Sequence, residues 1–140
     1  KGKANMYKLL QNQALTVLRN EINELGFEKA IETYPSVKAK LDTQTFGTER
    51  FTLDMLPHYT HVADIDANEL EDAFFIHNNP HGDPILEEQI TRYGTQHSLS
   101  VGDILEAEDG GLYMCDPMGF KYVGKEQGIG YMRSASATIR

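Results

Sequence analysis

Three sets of side chains in this sequence have the types to ligate, titrate or attack. The first is its histidines: His58 and His61, His77 and His81, and a separate His97. With Asp64, Asp66 and Asp83 nearby, the two pairs offer the donors of a zinc or other divalent-metal site. Their spacing argues against one. If residues 59–65 form a strand, an offset of three puts His58 and His61 on opposite faces. A proline-containing turn separates His77 from His81, so four residues of spacing do not bring them to a shared face. No HExxH occurs. The expectation is solvated loop histidines and no bound metal.

The second set is Cys115, the single cysteine, with His97 and Asp116, a possible thiol–imidazole nucleophile. Asp116 raises a thiol pKa and no basic residue adjoins, so a packed thiol in a strand is the expected role. The third set is the carboxylates Glu69, Glu71 and Asp72, then Glu87 and Glu88, then Glu106, Glu108 and Asp109. Acid–base hydrolysis needs two facing carboxylates across a cleft, whereas runs on helix and turn positions belong to solvated faces. Residues 124–130 (GKEQGIG) lack the order of a phosphate-binding loop, and GxSxG is missing. No catalytic residue, metal or cofactor is expected.

The charge is unevenly placed. The chain has 140 residues and a net charge of −8. Residues 46–123 hold three Lys/Arg against fifteen Asp/Glu, a net −12, between two ends of +2 each. Lys1, Lys3, Lys8, Arg133 and Arg140 are too sparse for a nucleic-acid stripe. An acidic middle repels phosphates and steers a basic partner. Candidate contact residues are Asp64, Asp66, Glu69, Glu71, Asp72, Glu106, Glu108 and Asp109. One cysteine excludes an internal disulfide framework and favours a reducing compartment. No run of about 18 apolar residues offers a membrane span, and no charged-then-apolar leader opens the sequence.

The elements that would position these residues follow from periodicity. Met6, Leu10, Ala14, Val17, Leu18, Ile22 and Leu25 recur at helical spacing, predicting a helix over 5–25 with Gly26 at its C-cap. Phe27, Ala30, Ile31 and Tyr34 continue a helical face until Pro35, and Ser36 can cap a short helix to Leu41. Residues 1–42 therefore read as a helical arm, 43–123 as a mixed body, and 124–140 as a tail, either flexible or an edge strand through Ile129–Met132. In the body, residues 59–65 alternate as a strand, and Asp66 with Glu69 can cap a helix ending near Asn78. Residues 78–84 are turn chemistry, and 85–93 form a short helix or connector. Segments 98–105, 112–116 and 120–123 read as a β-meander. The predicted class is α+β: an N-terminal helical hairpin plus a small antiparallel sheet with one packed helix.

The meander carries a motif. His97-Ser98-Leu99-Ser100-Val101-Gly102-Asp103-Ile104, then Gly110-Gly111-Leu112-Tyr113-Met114-Cys115-Asp116, then Gly119-Phe120, resembles the signature of the YodL-like domain, over about residues 58–123. That resemblance implies a small accessory protein of a bacteriophage, plasmid or conjugative element, acting in the bacterial cytoplasm and carrying no catalytic motif. The residues themselves explain the motif structurally: Leu99, Val101 and Ile104 feed a sheet, Gly102 permits a bend, and Asp103 bonds backbone amides. The expected function is binding of a host protein through the acidic surface, the helical arm or both, with self-association through the arm possible. Two alternatives are a ligand or enzyme pocket between helix 69–78 and the meander, near Tyr113, His97 and Cys115, and an acidic mimic of DNA.

Overall fold

The computed structural model of the protein describes residues 5–126, 128 and 130–133. Its class is α+β, as expected. The chain opens on strand β1 (Asn5–Gln11), followed by four helices: α1 (Ala14–Val17), α2 (Arg19–Leu25), α3 (Phe27–Thr33) and α4 (Pro35–Phe46). Two 3-10 turns (Gly47–Arg50 and Leu53–His58) lead into β2 (Thr60–Ala67) and α5 (Leu70–Asn78). Then come α6 (Pro84–Glu88), β3 (Ile90–Arg92), β4 (Ile104–Glu106), β5 (Gly111–Asp116), β6 (Gly119–Lys125) and β7 (Met132–Arg133).

The strand at 5–11 overturns the predicted helix over 5–25 and, with it, the separate arm 1–42. The order across the sheet is β3-β2-β1-β4-β5-β6, so β1 lies near its middle. It pairs antiparallel with β2 (Tyr7 opposite Ile65) and with β4 (Leu9 opposite Leu105). Leu9 and Leu10 are both fully buried, on opposite faces, in two different core clusters. A strand covered on both faces reads as a continuous apolar run, which periodicity alone does not separate from a helix segment. Pairing on both sides decides it.

One face of the sheet (Tyr7, Leu9, Val62, Ile65, Leu105) is closed by Ala73 and Ile76 of α5. The other (Leu10, Ile104, Leu112, Met114) is closed by Leu56 and Tyr59, with Phe51 and Leu53 beside them. The helices α1–α4 bury Ala14, Ile22, Ala30 and Val37 in a third cluster of their own, as their stripes predict. Gly26 ends α2 at φ +83°. The helical face is interrupted at Pro35 as expected: α3 ends at Thr33, Tyr34 is extended, and Pro35 is the first residue of α4, where its fixed φ and missing N–H suit a helix start. The helix then runs past the expected boundary at Asp42.

The β4–β5–β6 meander forms as expected, but 98–103 is loop and not strand. Residues 85–93 divide into α6 and β3. The 59–65 strand extends to Ala67, so Asp66 lies within β2 and Glu69 holds the N-cap of α5. In the tail, Met132 and Arg133 pair parallel with Thr60 and His61. Ile129, Lys1, Lys3 and Arg140 lie outside the described residues. No helix among the described residues is long and apolar enough to cross a membrane.

Candidate functional site

The motif loop, residues 97–103, has no continuous strand neighbour, so its backbone polar groups must be met by other means. Two side-chain amides do this. Gln11, the last residue of β1, accepts from His97 N–H (3.2 Å) and donates to the His97 carbonyl (2.8 Å). Asn78, the last residue of α5, accepts from Leu99 N–H (2.8 Å) and donates to the Leu99 carbonyl (2.9 Å). Each amide imitates one residue of an adjacent strand. Further along, Gly102 N–H donates to the Cys115 carbonyl (2.9 Å) and Cys115 N–H to the Asp103 carbonyl (2.8 Å). The Tyr59 hydroxyl donates to the Gly102 carbonyl (2.7 Å).

Gly102 is the point where this loop meets the helices. Its φ is +95°, and a Cβ there would lie 3.0 Å from the backbone carbonyl of Thr43 on α4. The expected bend at Gly102 is present, and close approach is a second reason for glycine.

Asp103 is fully buried. Its Oδ2 accepts from Ser100 N–H (2.9 Å) and Gln11 Nε2 (3.1 Å), while Oδ1 has no hydrogen-bond partner. Burial pushes its carboxyl up to about 7, against the pull of Lys40, the Ser100 amide and Gln11. His97 Nδ1 lies 2.8 Å from the Ser98 carbonyl. The Ser98 carbonyl accepts from Nδ1–H in one tautomer, and Gln11 Nε2, 3.2 Å away, donates to a bare Nδ1 in the other. The ring's own Nε2 is buried and unpartnered. Burial, with Lys40 acting the same way, holds the imidazole below its usual pKa.

On either side of the loop is a cavity. One, of about 480 Å³, opens between the loop, α1 and α4; Asn12, Thr16, Lys40, Gln44, His97 and Ser100 line its polar part. The other, of about 500 Å³, is a more apolar groove between α5 and the β5–β6 turn, lined by Phe74, Leu99, Cys115, Pro117 and Phe120 with Glu71 and Asp116 among them. Ser100 and Val101 belong to both walls. The groove lies where the ligand-pocket alternative expects one. It includes Cys115 but neither Tyr113 nor His97. Burial, then Asp103 and Asp116, push the Cys115 thiol up to about 11, which leaves little thiolate at neutral pH.

The eight candidate acids divide. Glu69, Glu71 and Asp72 are exposed at the start of α5, where the helix dipole favours them, and Glu108 and Asp109 are exposed in the β4–β5 turn. Glu108 also accepts from Met6 N–H and Asp109 from Gly111 N–H. Asp66 is half-buried. Glu106 is not a contact residue: it is 9% exposed on β4, opposite Lys8. Asp64, also opposite Lys8, is bonded internally to His61 Nε2 (2.8 Å) and to the Tyr93 hydroxyl. Burial raises its pKa, but those bonds outweigh burial and hold it below the carboxylate range. Lys8 of the central strand stabilises the Asp64 carboxylate, whereas Glu106 Oε1 is buried with no hydrogen-bond partner.

Two histidines also depart from expectation. His61 and His77 are buried and not solvated, His77 Nε2 lying 2.5 Å from Gln96 Oε1. His58 stands in a 3-10 turn and His81 is exposed at φ +39°. Among the described residues no three His, Cys, Asp or Glu side chains converge as a metal would require. Gln11, Lys40 and Asn78 were not legible as site residues. Each lies far in sequence from the motif, and the one hint is a glutamine closing an otherwise apolar run.

No family model, curated protein or solved structure matches the chain.

Proposed function

We propose that this chain is a non-enzymatic accessory protein of a bacteriophage or related mobile element, and that it binds a host protein in the bacterial cytoplasm. The observation that carries the reading is the groove between α5 and the β5–β6 turn. Its floor is apolar, Glu71 stands exposed in its wall with Glu69 and Asp72 beside it at the start of α5, and Asp116 on the other wall is already held by Lys121 and Thr48 N–H. Phe74 keeps 37% of its surface exposed and meets Phe120 edge-on, with ring centroids 6.3 Å apart. An apolar floor with carboxylates at its edge complements one kind of occupant: an apolar side chain flanked by lysine or arginine on a partner's surface. Apolar burial supplies the affinity and the carboxylates the orientation. The mobile-element setting and the cytoplasmic location come from the YodL-like resemblance.

Affinity purification from a bacterial lysate at low and high salt, with mass spectrometry, tests this. A specific partner is expected whose capture weakens in high salt and is lost with Phe74→Asp and with Glu71→Lys. No specific partner, or one whose capture ignores both substitutions, sinks the reading. The runner-up is a small apolar ligand in the same groove, which the volume of about 500 Å³ suits. An apolar fluorescent probe displaced by Phe74→Asp, with no protein captured, would favour it.

A further inference from the structure

The polar cavity on the other side of the motif loop plays no part in that reading, yet a nearly buried lysine with no ion pair among the described residues lines it. Lys40 projects from α4 into the cavity wall and is 8% exposed. An ammonium carries three donors and no acceptor. Among the described residues no hydrogen bond reaches Lys40 Nζ, and no carboxylate lies within 4.0 Å of it. Its charge is felt by its neighbours all the same, stabilising the ionised form of Asp103 and disfavouring a protonated His97. Lys40 Nζ is not among the fully buried unpartnered atoms, so solvent in the cavity meets it, and a ligand there can accept from it in water's place.

The residues around Lys40 are of the kind that would finish such a site. Ser100 and Thr16 bring hydroxyls, and Asn12, Gln13 and Gln44 bring side-chain amides. All five are neutral; Ser100 Oγ already donates to the Ser98 carbonyl, Asn12 Nδ2 to the Ser36 carbonyl and Gln13 Nε2 to the Thr95 carbonyl, so among the described residues Thr16 and Gln44 are the lining donors with no bond of their own. The Asp103 carboxylate nearby does not compete for a ligand: it lies behind the loop, outside the cavity lining, with Oδ2 engaged by Ser100 N–H and Gln11. His97 lines the cavity as well, but its Nε2 is buried away from the cavity space, so the ring contributes wall and not a contact atom. Leu15 and Val101 complete the lining with apolar surface, and about 480 Å³ is several times what a bare tetrahedral anion fills.

We infer that the cavity between α1, α4 and the loop 97–101 binds a small organic oxyanion, a carboxylate or phosphate ester, whose charged group meets Lys40, Thr16 and Gln44 while its body rests on Leu15 and Val101. Anion binding here is a second site, separate from partner capture in the groove.

The test uses the full chain, labelled with 15N and followed by NMR, with inorganic phosphate, phenyl phosphate and succinate titrated at constant ionic strength. Saturable shifts at Thr16, Gln44 and Lys40 are expected. Phenyl phosphate should bind at least tenfold more tightly than inorganic phosphate if an ester body is accommodated, and succinate more tightly still if carboxylate is the preferred group. Lys40→Met should weaken the best of these at least tenfold, while Lys38→Met, on the same helix but exposed, leaves it unchanged. Should Lys40→Met fail to fold, Thr16→Glu places a carboxylate at the exposed mouth and should weaken binding as much. Shifts that do not saturate for any of the three anions, or affinities indifferent to both substitutions, overturn the inference. Failure here leaves partner capture by the groove untouched, and loss of that capture leaves these shifts in place.

Discussion

At the scale of single residues the motif divides into groups that hold the loop and groups it presents. Gly102 and Asp103 hold it. Gly102 at φ +95° with Thr43 3.0 Å from a would-be Cβ has no room for alanine. Gly102→Ala should cost about 2 kcal/mol or more, from left-handed strain plus displacement of α4, measured as a lower urea midpoint with unchanged slope. Asp103 gives a pH signature. Its folded pKa, about 7, stands above the roughly 3.9 of an unfolded aspartate. The folded state therefore holds a proton that the unfolded state has released. The stability this confers is complete below pH of about 4 and is lost as pH rises through about 7, with a slope of at most ~1.4 kcal/mol per pH unit. Asp103→Asn keeps an acceptor for Ser100 and removes the titration. Stability measured from pH 5 to 8 should fall with pH in the parent and fall less steeply in the variant. Parallel curves would show that Asp103 does not titrate there.

At the scale of elements β1 decides how much was legible. The meander, β2 and α5 announce themselves through turn residues and alternation. The segment 5–11 carries apolar residues on both faces, and nothing local tells whether both are covered. Its role comes from β2 and β4, whose register depends on residues about 55 and 95 positions away. The candidate site was legible for the same reasons and to the same extent. Gly102 and Asp103 were readable because a bend and a capped turn are local. Gln11, Lys40 and Asn78 were not, because only the assembled sheet and helices bring them to the loop. If β1 is the keystone, Leu9→Ala and Leu10→Ala should each cost about 2–5 kcal/mol although they point to opposite faces. Met6→Ala, 42% exposed on the same strand, should cost well under about 1 kcal/mol. Denaturant titration checks all three. Equal, small losses would mean that 5–11 is an appendage after all.

At the scale of the whole molecule, one loop serves as the wall between two unlike cavities. Ser100 and Val101 face the polar cavity on one side and the apolar groove on the other. The loop's position is set from three directions: Gln11 from β1, Asn78 from α5, and the close approach of Gly102 to α4. Each ties it to a different part of the core, so a shift of the loop alters both cavities, while a change at the far wall of either alters one. Three substitutions then form a pattern. Thr16→Glu should weaken phenyl phosphate and spare partner capture, and Phe74→Asp should do the reverse. Gly102→Ala should weaken both by similar factors, measured at a temperature where the variant is still folded by circular dichroism. If Gly102→Ala impairs only one, the loop is not a common wall and the two cavities owe their shape to separate supports. If Thr16→Glu and Phe74→Asp each impair both, the cavities are one site reached from two sides. The outcome between these decides whether the motif is packing around a buried aspartate or the hinge on which two binding surfaces depend, and the second is expected because Gly102 bonds to β5 at Cys115 and lies against Thr43 of α4.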